Sequence, residues 1–337
     1  MTAGRVTAAL ALCAGGVVAA QQPGVDPAVL GVLTQQLRFS AGELAALRRG
    51  DIVKHGLPAA AGEIAVTGGV RIRAPKASFL ARVRDIARFK SGPEVLQIGT
   101  FSSPPAPEDL AALIVDRDDF DVRECRVRDC GIRLPADLIT RFAREIDARA
   151  PDAQARGAAL FKQLLLEKVQ AYASGAPDPM PQYDDGAKPI LARAELDRIL
   201  AGMPELAALV PGLPDHLRAF PASRLERAEE FLYWSKEKFG IAPFITVTHV
   251  TIVCPSAATC LMTTRDVYSS RYLDASVALA IATDAGPEAF DLFYDNRSRA
   301  DALKGAFAGL RRSLTERRAR GGLEDSLKII KKQLEND

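Results

Sequence analysis

The sequence predicts an α+β fold, and three observations on the order of its hydrophobic patterns support this class. Alternating strand patterns dominate the chain between residues 63 and 127. Helical spacing replaces them between residues 135 and 240, and strand patterns then return from residue 244. A long amphipathic helix ends the chain from residue 298 onward. Strands and helices that occur in separate blocks are typical of α+β proteins.

The composition is that of a globular protein. Of the 337 residues, 48% are hydrophobic and 26% are charged, and the formal net charge is +2. These values exclude a collagen, a disordered chain and a disulfide-dense mini-protein. Past the N-terminus, no apolar run approaches the roughly 20 residues that span a bilayer. Because nucleic-acid binders usually carry a strongly basic domain, no nucleic acid is predicted as a partner.

Residues 1–20 are predicted to be a signal peptide. Arg5 precedes an apolar stretch at 6–18, and small residues follow up to Ala20, where cleavage is expected. The prediction places the protein in the periplasm or outside the cell. A lipoprotein anchored at Cys13 is the weaker interpretation, because Leu12 stands where a small residue is required.

The first half of the mature chain begins with an N-terminal helical segment, 21–61, which has a helix break at 40–42 and a loop at 50–62. A strand is predicted at 63–73, and its apolar residues alternate onto one face. These are Ile64, Val66, Val70 and Ile72. The elements predicted after it are a helix at 77–89, a strand at 95–101 and two short strands at 110–115 and 120–127.

A helical insertion or lid is predicted at 135–243. It includes helices with apolar stripes at 138–146, 160–172, 191–200 and 206–210. A capping box, formed by Ser223 and Glu226, is predicted to open a last helix that ends at Gly240.

The final part of the chain is predicted as strands followed by a helix. The strands are expected at 245–253, 261–269, 272–282 and 289–294. Ser298 and Asp301 are expected to cap the helix at 298–334. Its predicted apolar stripe consists of Leu303, Phe307, Leu310, Leu314, Leu323, Leu327, Ile330 and Leu334.

This order of elements resembles the START/Bet v 1-like (helix-grip, SRPBCC) superfamily. The resemblance covers 62–133 and 244–334 and is carried by Val70-Arg71-Ile72-Arg73-Ala74-Pro75, followed by Phe79, Val83, Asp85 and Ile86. It implies that 62–134 and 244–337 form one domain. In that domain a curved antiparallel sheet wraps the C-terminal helix, and an apolar cavity lies between the sheet and the helix. The helical block departs from the superfamily. The alternative is a two-domain α+β protein with an unrelated sheet and no cavity.

Four cysteines of the mature chain form two close pairs. Cys125 and Cys130 are five residues apart, and Cys254 and Cys260 are six apart. An even number of cysteines after an export signal predicts disulfides. Local pairing is the simplest arrangement, although four cysteines allow three connectivities.

No catalytic motif is present, and no cofactor or metal is predicted. The sequence lacks the nucleophile-elbow, dinucleotide-binding, P-loop and zinc-protease motifs. The histidines are scattered: His55 and His216 are predicted in solvated loops and His249 in a strand. His249 is expected to be buried for structural reasons, with contact to a ligand as the alternative. The acidic run at 108–124 lacks calcium-loop spacing and is predicted to be a solvated turn.

The most informative polar stretch lies at 265–274. If its alternation continues, Tyr268, Tyr272 and Asp274 share one strand face, and Tyr294 and Arg297 follow at the end of the next strand. Tyrosines and charges on such a face can orient the polar head of a ligand in an apolar pocket. These five residues and His249 are the predicted ligand-binding residues. The alternative is a solvated face on which Arg271 pairs with Asp274.

The leading functional prediction is an exported, non-catalytic binding protein for an apolar or amphipathic small molecule, such as a lipid. One alternative is a cell-envelope structural or interaction protein that docks a partner on its helical block. Another is a hydrolase or cyclase-like enzyme that uses Asp274, His249 or a tyrosine. Residues 297–332 contain eleven Lys or Arg against four Asp or Glu, which predicts peripheral membrane contact as a further possibility.

Overall fold

An antiparallel sheet of eight strands organises the protein. The computed structural model describes residues 26–90, 92–238, 242–305 and 308–336. The predicted signal peptide lies outside the described residues. The strands are β1 (Val53–Gly56), β2 (Glu63–Ile72), β3 (Val95–Thr100), β4 (Gln182–Tyr183), β5 (Ile190–Leu191), β6 (Glu229–Glu237), β7 (Phe244–Val253), β8 (Thr259–Ser269), β9 (Ala275–Gly286) and β10 (Ala289–Arg299).

The order in the large sheet is β1-β2-β10-β9-β8-β7-β6-β3, and β4 and β5 form a separate pair. Helices cover both faces of the large sheet. They are α1 (Pro27–Gly31), which continues as a π-helical turn (Val32–Gln36), α2 (Ala41–Arg48), α3 (Lys76–Arg84), α4 (Ile86–Phe89), α5 (Ala136–Glu145), α6 (Ala153–Ser174), α7 (Ala192–Ala201), α8 (Pro204–Leu209), α9 (Leu213–Ala219) and α10 (Ala308–Glu335). The predicted α+β class is confirmed.

One face of the sheet packs on the C-terminal helix α10. The predicted apolar face of β2 is confirmed, since its four alternating residues join one core with Leu323, Leu327 and Leu334 of α10. The chain approaches α10 closely at Gly68. A Cβ atom there would lie 3.1 Å from Leu323 Cδ2 and 2.7 Å from the carbonyl oxygen of Val53.

The opposite face packs on the helical block and on the N-terminal helices. The apolar residues of β9 that point to this side are Val277, Leu279 and Ile281, and they share a core with α1, α2 and α7 to α9. A second core on this side joins α5 and α6 to β7. This face, called the block face below, is the one that bears the candidate site.

The predicted helix after residue 223 is wrong, because residues 229–237 form strand β6. Its side chains alternate: Tyr233 joins the α10-side core and Trp234 joins the block-side core. The nine residues pair with β7, with Trp234 opposite Val247. Tertiary pairing on both edges overrides the local capping signal at Ser223. The predicted helix end at Gly240 lies outside the described residues.

The two short strands predicted at 110–115 and 120–127 are also wrong. The segment contains a 3₁₀ helix (Pro107–Leu110) followed by turns and a single bridge between Arg126 and Asp129. Aspartate side chains organise the turns: the carboxylate of Asp116 accepts the N–H of Asp118 at 3.0 Å. Aspartate favours such turns over a strand ladder, although the apolar residues between them are buried.

The long C-terminal helix begins later than predicted. Strand β10 continues to Arg299, and the hydroxyl of Ser298 lies 3.0 Å from that of Ser276 in β9, so Ser298 does not cap a helix. Asp301 begins a short 3₁₀ helix (Asp301–Leu303). Leu310 and Leu314 are 63% and 48% exposed. Among the leucines of the predicted stripe that lie in α10, it is Leu323, Leu327 and Leu334 that join the core. Phe307 of the predicted stripe lies outside the described residues.

Both locally paired disulfides are confirmed. Cys125 is bonded to Cys130, and Cys254 is bonded to Cys260 across the turn between β7 and β8. Disulfides persist in oxidising compartments, so they are consistent with an exported protein. Among the helices of the described residues, none is long and apolar enough to cross a membrane.

Candidate functional site

A pocket of about 460 Å³ lies on the block face, between the sheet and the helical block. Its floor is formed by β8 and the start of β9, and its walls by the end of α6, the start of α7 and the residues around the end of α9. The resemblance to the helix-grip superfamily predicts a cavity against the C-terminal helix, whereas this pocket lies on the opposite face. Its aromatic lining residues are Tyr172, Tyr183, Phe220 and Tyr268, and its cationic ones are Lys168, Arg193, Arg218 and Arg265.

Two of the predicted ligand-binding residues, Tyr268 and Asp274, line this pocket. Tyr268 is buried, and its hydroxyl donates to the carbonyl oxygen of Arg133 at 2.9 Å. Burial raises the pKa of the Tyr268 hydroxyl well above its ordinary value. The carboxylate of Asp274 lies 2.8 Å from the Arg133 guanidinium. Burial raises the pKa of the Asp274 carboxyl, and the charge of Arg133 opposes this shift.

The structure places the other four predicted residues away from the pocket lining. Tyr272 lies in the turn between β8 and β9 with φ of +61°, and its hydroxyl hydrogen-bonds to the backbone of Ala242. Tyr294 points to the α10 face. Arg297 is on the block face but pairs with Glu63 at 3.2 Å. His249 is buried behind the pocket wall.

The predicted common face for residues 268–276 is not formed, because strand β8 ends at Ser269 and β9 begins only at Ala275. A bulge also interrupts the pairing of β8 with β7: Thr248 faces Asp266, whereas Val247 faces Tyr268. A bulge changes which side chains share a face. The alternative prediction, a pair between Arg271 and Asp274, is also not seen, since Arg271 donates to the Asp119 carbonyl oxygen.

Arg265 is the lining residue whose charge is least compensated. It stacks over the ring of Tyr172, 5.1 Å from its centroid, and donates to the carbonyl oxygen of Leu217 at 2.6 Å. Its Nε is buried without a hydrogen-bond partner. Among the described residues, no carboxylate lies within ion-pair distance of Arg265.

The other pocket cations have carboxylate partners. Lys168 lies 2.8 Å from Asp178, and Arg218 and Arg193 both contact Asp197, at 3.0 and 3.5 Å. Sequence reasoning missed Arg265 as a site residue, although it begins the polar stretch that was singled out for its tyrosines.

Behind the wall formed by Tyr172 and Phe220, two histidines and a glutamate come together. Nε2 of His216 lies 2.9 Å from Oε1 of Glu230, and the nearest ligand atoms of His216, Glu230 and His249 all lie within 4.8 Å of one another. Nδ1 of His249 lies 2.8 Å from the hydroxyl of Tyr172. Tyr172 therefore connects this cluster to the pocket. We call these three residues the His-Glu cluster.

The strand register explains why these residues meet. Glu230 of β6 is paired with Thr251 of β7, which is two positions from His249. The side chains of Glu230, Thr251 and His249 therefore all point to the block face. His216 reaches them from the last turn of α9. The prediction that His216 lies in a solvated loop is wrong, because the residue is fully buried. The prediction that His249 lies buried in a strand is confirmed. Its side chain shares the block face of β7 with Val247, Thr251 and Val253.

The electrostatics of the cluster follow from its burial. Burial lowers the pKa of His249 to about 3, and the nearby charges of His216 and Arg265 act in the same direction. Burial also raises the pKa of the Tyr172 hydroxyl, against the charge of Arg265. At neutral pH, His249 is therefore an uncharged imidazole that can present a lone pair.

Comparisons of this chain with protein-family models, with curated proteins and with solved structures found no match. The resemblance to the helix-grip superfamily therefore stays a prediction.

Proposed function

We propose that the protein is an exported, non-catalytic binding protein for an amphipathic small molecule with an anionic group, such as a fatty acid, which it holds in the block-face pocket. The volume of about 460 Å³ lies within the range of small-molecule sites. The observation that carries the proposal is the guanidinium of Arg265 in the pocket lining, which has no carboxylate partner among the described residues.

An anionic group would complete the hydrogen bonding of Arg265. A guanidinium that keeps a buried donor unpaired carries a desolvation cost, which a carboxylate or phosphate relieves through charge-assisted hydrogen bonds. The rest of the pocket lining offers apolar surface for a chain or ring, to which Leu196, Phe220, Val267 and Leu273 contribute. A polar end near Arg265 and an apolar body along these residues describe an amphipathic molecule.

A non-catalytic role is favoured over a hydrolase or cyclase-like activity. Acid–base chemistry requires its groups within hydrogen-bond reach of one bound substrate. Asp274 lines the pocket, whereas His249 lies behind Tyr172 and Phe220 and is not among the lining residues. Asp274 and His249 therefore do not face a common substrate. The hydroxyl of Tyr268, which does line the pocket, is already engaged with the carbonyl oxygen of Arg133.

Export is proposed from the predicted signal peptide together with the two disulfides. The test is expression in a host with a secretory pathway, followed by N-terminal sequencing of the exported product. A mature N-terminus at Gln21 supports cleavage after Ala20. Retention of the whole chain in the cytoplasm contradicts export.

Ligand binding is tested with a fluorescent fatty acid, dansyl-undecanoate, and with mass spectrometry of an organic extract. The wild-type protein is expected to bind the probe, and Arg265→Gln is expected to weaken binding roughly tenfold to a hundredfold, the value of a charge-assisted hydrogen bond. Ala171→Trp places a ring in the pocket and is expected to block the probe.

The matched control is Arg144→Gln, because Arg144 is an exposed arginine of α5 that is not part of the pocket lining. It should bind the probe like the wild type. The proposal fails if the wild type binds no probe and yields a lipid-free extract. It also fails if Arg265→Gln and Ala171→Trp, both folded by circular dichroism, bind as tightly as the wild type.

A further inference from the structure

We propose that His216, His249 and Glu230 form a binding site for a divalent transition-metal ion, with Zn²⁺ as the expected occupant. Two imidazole nitrogens and one carboxylate oxygen are a ligand set that zinc uses in proteins. The three ligand atoms lie within 4.8 Å of one another and come from three separate elements, α9, β6 and β7. The inference does not depend on the function proposed for the pocket.

An unpartnered buried nitrogen points independently to a ligand. His249 is 1% exposed, and its Nε2 has no hydrogen-bond partner within the described part of the chain. Oε1 of Glu230 is also buried without a hydrogen bond, and it lies beside Nε2 of His216. An unsatisfied buried polar atom costs free energy. A cation bound between His249 and Glu230 would remove the cost at both atoms.

The hydrogen bonds on the far side of each imidazole are those expected of metal ligands. Nδ1 of His216 lies 3.0 Å from the carbonyl oxygen of Ser223, which can only accept, so Nδ1 carries the proton. Nδ1 of His249 can donate to the Tyr172 hydroxyl oxygen at 2.8 Å. With both protons on Nδ1, the Nε2 atom of each imidazole carries a lone pair that is available to a cation. Metal-bound histidines are typically held in this way by a carbonyl or another oxygen.

The short approach within the cluster also favours a cation. With its proton on Nδ1, neutral His216 directs the lone pair of Nε2 toward the carboxylate of Glu230, 2.9 Å away. Two electron-rich atoms at this distance repel, and a metal ion that both coordinate replaces the repulsion by attraction. The hydroxyl of Thr251, 3.1 Å from the same Nε2, can turn its proton elsewhere when an ion is bound. The competing arrangement is a protonated His216 paired with Glu230, and the experiment separates the two.

The distances between the three ligand atoms allow them to move together around an ion. Tetrahedral Zn²⁺ with bonds of about 2.1 Å requires ligand atoms about 3.4 Å apart. Glu230 has the freedom to adjust, because its side chain is 20% exposed whereas the imidazole of His216 is fully buried. Nitrogen ligands select Zn²⁺ over Ca²⁺ and Mg²⁺, which prefer a shell made only of oxygen atoms. Three protein ligands leave one position for water.

The test uses the full chain without an affinity tag, stripped with a chelator and dialysed. Zn²⁺ binding is measured by isothermal titration and by metal analysis after desalting, and Co²⁺ replaces Zn²⁺ to report coordination by its visible absorption. We expect one ion per chain, a Co²⁺ spectrum of four-coordinate intensity and a rise in Tm on adding Zn²⁺.

The variant that removes one ligand with the smallest change of shape is Glu230→Gln, and His249→Gln removes a second. Each is expected to weaken Zn²⁺ binding by at least about tenfold. The matched control is His55→Gln, because His55 pairs with Glu43 outside the cluster. It should bind Zn²⁺ like the wild type.

The proposal is overturned if the stripped wild type takes up no ion and its Tm does not respond to Zn²⁺, the result expected of a protonated His216–Glu230 pair. It is equally overturned if both ligand variants bind Zn²⁺ as the wild type does. If a ligand variant does not fold, the Co²⁺ spectrum of the wild type decides, since an octahedral, weakly absorbing spectrum excludes this site.

Discussion

Arg133 and Asp274 form an ion pair of 2.8 Å in which both side chains are buried. Arg133 precedes α5, and Asp274 precedes β9, so the pair joins the start of the helical block to the sheet at the edge of the pocket. Arg133 also donates to the carbonyl oxygen of Leu273 at 2.5 Å. Lys304 lies 3.7 Å from the same carboxylate. The contact between the helical block and the sheet therefore includes a charge pair that is shielded from water as long as the two remain packed together.

Removing one partner of this pair is expected to be costly. Arg133→Met leaves the carboxylate of Asp274 buried with only the more distant Lys304, and the free energy of unfolding should fall by about 3–5 kcal/mol. Urea denaturation at pH 7 measures the change. In the double variant Arg133→Met, Asp274→Asn, the loss should be smaller than the sum of the two single losses. Additive losses would mean that the two side chains do not interact.

Asp266 is expected to make stability depend on pH. Burial raises the pKa of its carboxyl to about 7, and the charge of Lys90 opposes the shift without cancelling it, while Glu237 adds to it. Between about pH 4 and about pH 7, the unfolded chain has released this proton and the folded chain has kept it. The free energy of unfolding should therefore fall as the pH rises through this window and then level off.

The variant Asp266→Asn should remove that fall. The difference in the free energy of unfolding, variant minus wild type, should therefore be more positive at pH 8 than at pH 5. Urea denaturation at both pH values and constant ionic strength measures the difference. The matched control is Asp284→Asn, because Asp284 is a carboxylate of β9 that contacts Lys76 and whose side chain is 38% exposed. Its effect on stability should be nearly the same at both pH values. An Asp266→Asn advantage that does not change with pH would show that Asp266 is ionised throughout.

The disulfide between Cys254 and Cys260 is expected to add a modest amount of stability. The closed loop is short, with a sequence separation of 6. Loop-closure entropy for a loop of this size corresponds to about 2 kcal/mol. The double variant Cys254→Ser, Cys260→Ser should lose this amount in urea denaturation under oxidising conditions. The wild type in a reducing buffer should lose at least as much, because both disulfides then open.

Gly68 is expected to be intolerant of a side chain because α10 packs directly on it. A Cβ atom would approach the Val53 carbonyl to 2.7 Å and Leu323 to 3.1 Å. Gly68→Ala should reduce the free energy of unfolding by about 1–3 kcal/mol, the usual cost of overpacking. Gly321→Ala is the matched control within α10, since nothing lies within 4 Å of its added Cβ. It should leave stability unchanged or raise it by up to about 1 kcal/mol.

Period-2 alternation made several strands predictable from the sequence. Strand β2 needs one face that packs on α10, so the positions of Ile64, Val66, Val70 and Ile72 follow from their spacing. The local disulfides were predictable because the cysteines of each pair are close along the chain. Strand β6 was not predictable, because a capping signal at Ser223 favoured a helix and only pairing with β7 and β3 decides otherwise.

The sequence by itself determined the α+β class, the strands of the C-terminal half and the placement of His249 in one of them, because these depend on the spacing of hydrophobic residues within each element. Only the tertiary structure decided which residues share a site. His216, Glu230 and His249 come from separate elements, and the register of β6 on β7 together with the docking of α9 brings them within 4.8 Å. Tyr268 and Tyr272 are close in sequence, but only Tyr268 lines the pocket, because strand β8 ends between them and Tyr272 lies in the turn. The spacing of residues within one element is a local property of the sequence. A site depends on how separate elements pack together, which the pattern of one element does not encode.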